Sequence, residues 1–555
     1  MTETSSSTGP EDALASAISQ LSAGRLEDAE RACAAILSSH PRSFDALHLR
    51  AILRCRQGDF AGGVDYFDRA LDVDANACDA LGNRGNALFS LGRFDEALAS
   101  YDRAIALRPG NSDLLNNRGN ALQALKRHDE ALASYESALA SRPGHAGLLK
   151  NCGNALMALG RFEDALVSYD GALRAQPDDF GALNNRGNVL RSLNRFDEAL
   201  ACYDRALSVR PGHPETLSNR GNALHALQRL DEAIDSYGKA LSIEPDYADA
   251  HWNLSLAQLA SGDLASGWKE YEWRWKIADS AGQRPFPAPW WRGEEDLRDK
   301  TILLHAEQGL GDTLQFCRYA ALVRARGATV ILQVDRALRS LLESQAGVSQ
   351  VVVPGETLPH FDFHCPMLSL PLAFGTTLET IPADIPYLHA DPEKILRWQE
   401  KLGARTRPRI GLAWSGNPGQ AKDRNRSMPL AALEPLLGLT AQFICLQKEM
   451  RAGDADALER HPQLLHFENE ISDFSDTAAL VELCDMAIAV NSSVAHLVGA
   501  LGKPLWIPLA FVPDWRFPLG RDDSQWYPTA RLFWQTRPGR WDDVVARMTH
   551  EIERG

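Results

Sequence analysis

The sequence predicts a helical repeat array followed by two α/β domains. Three observations support this: a motif that returns every 34 residues in the first half, the loss of that period near residue 280, and short apolar strands alternating with helices after it. A chain of 555 residues is long enough for about three or four domains of roughly 100–200 residues each. Apolar residues make up 45% and charged residues 24%, which is the balance of a globular protein and excludes a wholly disordered chain.

The repeat contains an Asn-Arg-Gly-Asn string at 83–86. The string returns, with small changes, at 117–120, 151–154, 185–188 and 219–222. A turn glycine, an alanine, a tyrosine and a closing proline keep the same 34-residue step, as at Gly92, Ala97, Tyr101 and Pro109. These features resemble the tetratricopeptide repeat, a pair of helices that approach closely through small residues. We expect about eight repeats over residues 11–280, after a disordered N-terminus at 1–10, with atypical copies at the array ends.

Asparagine recurs on the first helix of successive repeats, although it is a mediocre helix former. The recurring positions are Asn83, Asn117, Asn151, Asn185, Asn219 and Asn253. A row of amides can donate hydrogen bonds to the main chain of an extended peptide and accept hydrogen bonds from it. We therefore predict an acceptor-peptide groove along these residues. The alternative is that the amides bond the neighbouring helix. The repeats of O-GlcNAc transferase have a similar asparagine ladder, and this resemblance favours the groove.

Strands and helices alternate after a Pro- and Trp-rich linker at 281–300. For the first domain, 301–395, we predict strands at 301–306, 329–334 and 351–353, helices at 312–326 and 336–345, and an irregular segment at 355–395. For the second domain, 396–555, we predict strands at 409–415, 443–447, 486–490 and 504–509 and helices at 429–438, 476–484 and 493–501. This alternation predicts two parallel, Rossmann-like sheets facing across a cleft, with ligands at the carboxyl ends of the strands.

Three strand-to-helix turns contain the candidate chemistry. The first, Gly309-Leu310-Gly311-Asp312, is half of a dinucleotide fingerprint whose third glycine is replaced by Leu314, so NAD binding is not expected. The chain has no GxxxxGK[ST] string, which excludes a P-loop ATPase. The second turn is a polar, basic loop suited to a diphosphate, and the third opens a helix whose free N–H groups form an anion site. The candidate donor-binding residues of these two turns are Ser415, Asn417, Lys422, Arg424, Arg426, Asn491, Ser492, Ser493 and His496.

Residues 301–548 resemble glycosyltransferase family 9, the heptosyltransferase type. The matching pieces are the Gly311-Asp312 turn, Arg426-Ser427-Met428-Pro429 and Ser493–Leu497 with the following Gly499–Gly502 stretch. The resemblance implies a GT-B fold, an inverting reaction without a metal, Asp312 as the general base and Arg426 on the donor phosphate. A carboxylate at a cleft edge could accept the proton of an attacking hydroxyl; the alternative is that Asp312 only caps a helix. The family normally has Asp where this chain has Asn491, which affects donor choice or catalysis.

We therefore predict a glycosyltransferase that moves a sugar from a nucleotide-diphosphate sugar, a co-substrate and not a cofactor, to a protein hydroxyl recruited by the repeats. The alternatives are transfer to a glycan or lipopolysaccharide-type acceptor, and a non-catalytic repeat scaffold. No metal site and no resident cofactor are expected. The net charge of −15 disfavours nucleic-acid partners. Nine scattered cysteines without a CxxC pair, no signal-peptide layout and no long apolar segment predict a cytoplasmic protein without a transmembrane segment.

Overall fold

The computed structural model describes residues 10–277, 286–419, 423–512 and 514–554. The chain divides into two compact units, one ending at Pro211 and the other beginning at Gly212. The division falls inside the predicted repeat region, so the last two helix pairs belong to the same unit as the α/β part. The predicted disordered N-terminus lies outside the described residues except for Pro10, which begins the first helix.

The first unit consists of helix pairs in which consecutive helices pack against each other. The helices are Pro10–Ser22 (α1), Leu26–Ser39 (α2), Phe44–Arg56 (α3), Phe60–Leu71 (α4), Cys78–Ser90 (α5), Phe94–Leu107 (α6), Ser112–Ala124 (α7), His128–Ser141 (α8), Ala146–Ala158 (α9), Phe162–Ala175 (α10), Phe180–Ser192 (α11) and Phe196–Val209 (α12). The predicted helical repeat array is confirmed for this half of the chain.

A tyrosine on the second helix of a repeat packs against a glycine on the first. Tyr101 is buried, and a Cβ atom added at Gly85 would lie 2.5 Å from its Cε1 atom. That distance is shorter than any side chain allows, so the glycine is required by the close approach of the ring. The Tyr101 hydroxyl donates a hydrogen bond to Asn86 Oδ1 at 2.8 Å, which ties the two helices together.

The turn between the two helices of a repeat requires a positive φ. Gly92 and Gly160 have φ of 73° there, and Lys126 occupies the equivalent position with φ of 60°. The left-handed conformation costs an L-residue roughly 1–2 kcal/mol, whereas glycine costs about 0.5–1 kcal/mol of unfolded-chain entropy. We therefore expect Lys126→Gly to raise the free energy of unfolding by about 0.5–1 kcal/mol in a urea titration. Gly92→Lys is the reverse control and should destabilise; a Lys126→Gly protein less stable than wild type would contradict the prediction.

The second unit begins with two more helix pairs and continues into two parallel sheets. The repeat helices are Pro214–Ala226 (α13), Leu230–Ile243 (α14), Ala248–Ser261 (α15) and Leu264–Tyr271 (α16), followed by a 3-10 helix, Glu272–Lys276. The strands are Thr301–His305 (β1), Thr329–Gln333 (β2), Gln350–Val352 (β3), Phe363–Pro366 (β4), Arg409–Ala413 (β5), Gln442–Cys445 (β6), Leu464–Leu465 (β7), Met486–Ala489 (β8), Leu505–Leu509 (β9) and Ala530–Trp534 (β10). The strand orders are β3-β2-β1-β4 and β10-β9-β8-β5-β6-β7.

Helices connect the strands of both sheets. They are Leu310–Phe316 (α17), Tyr319–Ala325 (α18), Arg339–Leu342 (α19), Leu370–Ala373 (α20), Pro392–Leu402 (α21), Asp423–Arg426 (α22), Glu434–Leu437 (α23), Ala455–Arg460 (α24), Phe474–Glu482 (α25), Ser493–Ala500 (α26) and Asp542–Arg554 (α27). Further 3-10 helices span Arg336–Leu338, Met367–Ser369, Leu378–Thr380, Leu430–Leu433 and Ala452–Asp454. All strand pairs in these sheets are parallel, which confirms the predicted α/β class.

Three details of the α/β prediction are wrong. The predicted helix at 312–326 is broken between Phe316 and Tyr319, and the segment predicted to be irregular, 355–395, contains β4. Strands β7 and β10 are absent from the predicted set. Strand β4 pairs with β1 in parallel, with Leu303 opposite His364. It lies at the edge of its sheet, where a proline can end a strand without removing a ladder hydrogen bond. The apolar run that marks a central strand is therefore absent from β4.

A buried ion-pair cluster joins the last repeat to the first sheet. Arg274, which is 5% exposed, donates two hydrogen bonds to the carboxylate of Glu307, from Nε at 2.8 Å and from Nη2 at 3.0 Å. It also donates to Glu272 Oε1 at 2.8 Å and to Ser369 Oγ at 2.7 Å. Glu307 lies two residues after β1, so this cluster fastens the 3-10 helix after α16 to the loop that precedes α17.

An aromatic cluster strengthens the same connection. Trp268 of α16 packs edge-on against Trp515, with ring centroids 5.2 Å apart, and against Phe316 of α17 at 6.1 Å. All three rings are buried, and Trp526 packs beside them. Burial of this much aromatic surface favours a fixed arrangement of α16 and α17.

All nine cysteines lie among the described residues, and each is a free thiol. Within the described ranges, no helix has both the length and the apolar composition that crossing a bilayer requires.

Candidate functional site

A cleft of about 980 Å³ lies in the second unit at the carboxyl ends of both sheets. Its lining starts just after the strands: Ala306 follows β1, Ser415 lies two residues after β5, and Asn491 lies two residues after β8. Carboxyl strand ends are where ligands bind in parallel α/β folds. The predicted site residues that line the cleft are Asp312, Ser415, Asn417, Arg426, Asn491, Ser492, Ser493 and His496. Lys422 and the side chain of Arg424 lie outside the described part of the chain.

Asp312 lies on the first turn of α17 and faces the cleft. One carboxylate oxygen, Oδ2, accepts a hydrogen bond from the backbone N–H of Gly309 at 2.9 Å, so the residue does cap the helix. The other oxygen, Oδ1, is paired with Nη2 of Arg516. Capping occupies one oxygen and leaves the second at the cleft beside a guanidinium.

A chain of polar contacts runs from Asp312 to Asn491. Arg516 donates from Nη1 to Asp514 Oδ1 at 3.2 Å, and Asn491 donates from Nδ2 to Asp514 Oδ2 at 2.8 Å. Burial raises the pKa of Asp514, but the charge of Arg516 and the hydrogen bonds that Arg516 donates together hold that pKa below its ordinary value. The neutral amide of Asn491 therefore lies against an ionised carboxylate that a different loop supplies.

The start of α26 combines unpaired N–H groups with an unpaired hydroxyl. Ser492 is its N-cap residue, but its side chain makes no capping hydrogen bond. Its Oγ atom is buried without a hydrogen-bond partner, and the residue is only 7% exposed. A buried hydroxyl without a partner costs free energy, and this makes Ser492, which lines the cleft, a candidate ligand-binding residue. The backbone N–H groups of the first turn, which begins at Ser493, offer the same ligand a positive dipole end.

His496 is buried one turn further along α26. Its Nδ1 atom lies 2.8 Å from the hydroxyl of Tyr527. Burial, helped by the charge of Arg516 and opposed by that of Asp514, lowers the pKa of His496 to about 3. A Cβ atom at Gly311 would lie 2.8 Å from His496 Cδ2, so α17 and α26 meet closely here. His496 is thus a neutral residue packed where the two helices meet.

The loop after β5 is closed by hydrogen bonds around Asp423. This buried carboxylate accepts from Arg426 Nε at 3.3 Å and from Ser427 Oγ at 2.9 Å, and it is paired with Arg451. A Cβ atom at Gly416 would lie 2.6 Å from Arg426 Nη2, so the guanidinium lies directly against the loop backbone. Arg426 is held in place by the loop and still lines the cleft.

Six charged cleft residues are absent from the set predicted from the sequence: Asp335, Lys448, Glu449, Asp473, Asp514 and Arg516. Lys448 comes directly after the predicted strand at 443–447, a position that could have been used to infer it. Asp514 and Arg516 lie in the long loop after β9, where no periodic pattern or motif marks them. Across the described residues, no group of three or more His, Cys, Asp or Glu side chains could hold a metal ion.

The asparagine ladder is hydrogen-bonded internally. Asn117 donates from Nδ2 to Asn86 Oδ1 at 2.9 Å, and Asn185 donates to Asn154 Oδ1 at the same distance. Asn151 makes the corresponding bonds to the preceding repeat, and Asn83 bonds His48. The six ladder asparagines, Asn83, Asn117, Asn151, Asn185, Asn219 and Asn253, are all half-buried. Bonds between neighbouring helices therefore explain part of the recurrence, and peptide binding by these amides stays a prediction.

The repeats match known family models. Residues 14–78, 83–146 and 152–214 match the model described as "Tetratricopeptide repeat", and residues 221–262 match the model described as "TPR repeat". The chain therefore contains tetratricopeptide repeats, a scaffold for protein interaction.

One curated relative is Protein FlbA of Caulobacter vibrioides, 28% identical over 320 residues. The alignment covers 52% of this chain and 52% of FlbA, so the chain spans about half the length of the curated relative it matches. Solved structures with similarity include YrrB, a TPR protein with an unusual peptide-binding site (25% identity, 34% of this chain, 96% of YrrB, TM-score 0.30). Another is a tetratricopeptide repeat protein from Parabacteroides merdae (17% identity, 45% of this chain, 98% of that chain, TM-score 0.37).

Proposed function

We propose that the chain is a glycosyltransferase of the GT-B type that transfers a sugar from a nucleotide-diphosphate sugar to a protein hydroxyl. The observation that supports this most is the cleft in which Asp312 faces the start of α26 with its buried, unpartnered Ser492 hydroxyl. A carboxylate facing an anion-binding helix start has the two groups that an inverting sugar transfer needs.

The donor diphosphate binds at the start of α26. The Ser492 hydroxyl donates to a phosphate oxygen, and the first N–H groups of the helix bond the same anion. Arg426 and Lys448 add positive charge to the cleft lining, which also includes the carboxylates of Glu449 and Asp473. The negative charge that develops on the departing nucleoside diphosphate is stabilised by these groups.

Asp312 acts on the acceptor. Its carboxylate takes the proton of the acceptor hydroxyl while the hydroxyl oxygen attacks the anomeric carbon. The bond from that carbon to the phosphate oxygen breaks, and the nucleoside diphosphate leaves with the electron pair. Arg516 pairs with Asp312 and holds the carboxylate at the cleft. Attack from the face opposite the leaving group inverts the anomeric centre.

Calorimetric binding of a panel of UDP-, GDP-, ADP- and CMP-sugars tests the donor site. We expect saturable binding of one donor by the wild-type chain and an affinity at least about tenfold lower for Arg426→Ala, a loss of about 1.4 kcal/mol. The matched control is Arg460→Ala, which removes an exposed arginine paired with Glu434 on α23. This control should bind the donor as the wild type does.

A second candidate function is a repeat scaffold without catalysis. The observation that favours it is Asn491, an amide in place of the carboxylate found in the resembling family. Failure of every donor in the panel to bind would support the scaffold and contradict the transferase. If a donor binds but only a saccharide acceptor is modified, the glycan-directed alternative is correct instead.

A further inference from the structure

The last repeat departs from the earlier ones at two positions that line the cleft, Trp252 and Leu256. At the position of Trp252 the five preceding repeats have small or polar residues: Gly82, Asn116, Lys150, Asn184 and Ser218. At the position of Leu256 they have an asparagine: Asn86, Asn120, Asn154, Asn188 and Asn222. Both changes replace a small or polar residue with a large apolar one.

The change at Leu256 frees the repeat tyrosine for another partner. In five repeats the tyrosine hydroxyl donates to the asparagine at 2.7–2.9 Å: Tyr101, Tyr135, Tyr169, Tyr203 and Tyr237. In the last repeat, Leu256 cannot accept this bond. The hydroxyl of Tyr271 instead donates to Gln308 Oε1 at 3.4 Å, in the turn that leads to Asp312.

A third change alters the surface against which the Tyr271 ring packs. A Cβ atom at Gly221 would lie 2.5 Å from Tyr237 Cε1, and Ser255 occupies the equivalent position in the last repeat. The Tyr271 ring therefore cannot pack as closely on its own first helix. It lies against Trp252, with centroids 4.8 Å apart, and 6.3 Å from Trp515. Trp252, Leu256 and Tyr271 together form one side of the cleft, the repeat wall.

The repeat wall is fixed relative to Asp312 by bonds on both sides. Gln228, in the turn between α13 and α14, donates from Nε2 to the carbonyl oxygen of Phe511 at 2.7 Å. The Arg274–Glu307 pair and the Trp268–Trp515 contact fasten the end of α16 to the loops before α17 and after β9. These contacts hold the wall at the cleft.

We propose that the repeat wall is the acceptor subsite, and that it binds an apolar side chain of a polypeptide next to the hydroxyl that receives the sugar. This inference rests on the proposed transferase function. A sugar acceptor needs hydrogen bonds at its hydroxyls, yet the wall has lost an amide where the other repeats keep one. Leu310 and Trp515 extend the same apolar lining. An apolar side chain fits this surface without leaving a polar group unpaired.

A position-scanning library of peptides, each with one Ser or Thr, tests the subsite with the full-length chain and the nucleotide sugar that binds best in calorimetry. We expect the wild type to prefer an aromatic or aliphatic side chain at one fixed position by roughly tenfold or more, as apolar pockets discriminate. Trp252→Ala and Leu256→Asn should lose most of this preference. Leu256→Asn is the more informative variant, because it restores the asparagine that the five preceding repeats have at this position.

The control and the donor measurement separate this inference from the proposed function. Leu396→Ala removes an exposed apolar side chain on α21 and should keep the wild-type preference. Donor affinity should be the same in all four proteins, which also shows that the variants fold. An unchanged preference in both wall variants with normal donor binding would overturn the subsite while the transferase stands. Modification of saccharides but no peptide would also overturn it, and no donor binding would overturn both proposals.

Discussion

Replacing Asp312 with asparagine is expected to lower sugar transfer by about 10²–10⁴-fold, the usual effect of losing a general base. Donor affinity should stay within about twofold, because the carboxylate acts on the acceptor proton and not on the diphosphate. Asparagine retains an oxygen that can accept from the Gly309 N–H, so the helix cap is kept. Initial rates with saturating donor, together with calorimetric donor affinity, provide the measurement.

The matched control for Asp312→Asn is Asp391→Asn. Asp391 caps α21 by accepting from the Glu393 N–H at 2.8 Å, and it is exposed away from the cleft lining. This variant loses the charge of a capping carboxylate without touching the site, and its transfer rate should equal that of wild type. If Asp312→Asn transfers sugar as fast as Asp391→Asn, then Asp312 is a cap and not a base.

Acidification is expected to destabilise the fold through His496. Its pKa in the folded chain is about 3, far below the ordinary 6.5, because burial disfavours the charged ring. Between these two values the unfolded chain binds a proton that the folded chain does not, so stability falls as pH falls. The slope is at most about 1.4 kcal/mol per pH unit. The free energy of unfolding begins to fall at about pH 6.5 and stops falling through this residue near pH 3, where the folded chain also binds the proton.

His496→Asn isolates this contribution, because asparagine can bond the Tyr527 hydroxyl but does not titrate. Urea unfolding from about pH 6 to about pH 4 should show the wild type losing roughly 2–3 kcal/mol more than the variant does. Carboxylates titrate in the same range in both proteins. The contribution of His496 is therefore read from the difference between the two slopes of unfolding free energy against pH. Equal slopes would mean that His496 takes up its proton in the folded state.

The repeat helices could be predicted from the sequence because one period recurs at several kinds of position at once. The central strands of both sheets were predictable for a similar reason, since β1 and β5 are continuous apolar runs. The three strands that the prediction missed, β4, β7 and β10, are all at sheet edges. An edge strand has a partner on one side only, so its sequence tolerates His364, Pro366 or Arg531.

The candidate site was predictable where it follows strand ends, and not where it depends on loop conformation. Asp312 and Ser492 each lie shortly after a predicted strand, and parallel strands bring their ends to one edge. Arg516 reaches Asp312 from about 200 positions away, in a loop whose path no local pattern determines. Leu256 was open to inference, because it breaks a 34-residue asparagine series that the sequence itself displays.

The fastening of α16 by Arg274 and Trp268 has a consequence for how such a chain can change over evolution. Every residue lining the cleft lies after Gly212, so modules of 34 residues can be duplicated or deleted within residues 10–211 without altering any of them. The last module is different, because its tyrosine, tryptophan and leucine are specialised for the α/β part and a copy of an earlier module could not replace them. Repeat number can therefore drift in lineages of this protein while the terminal repeat is inherited together with the cleft.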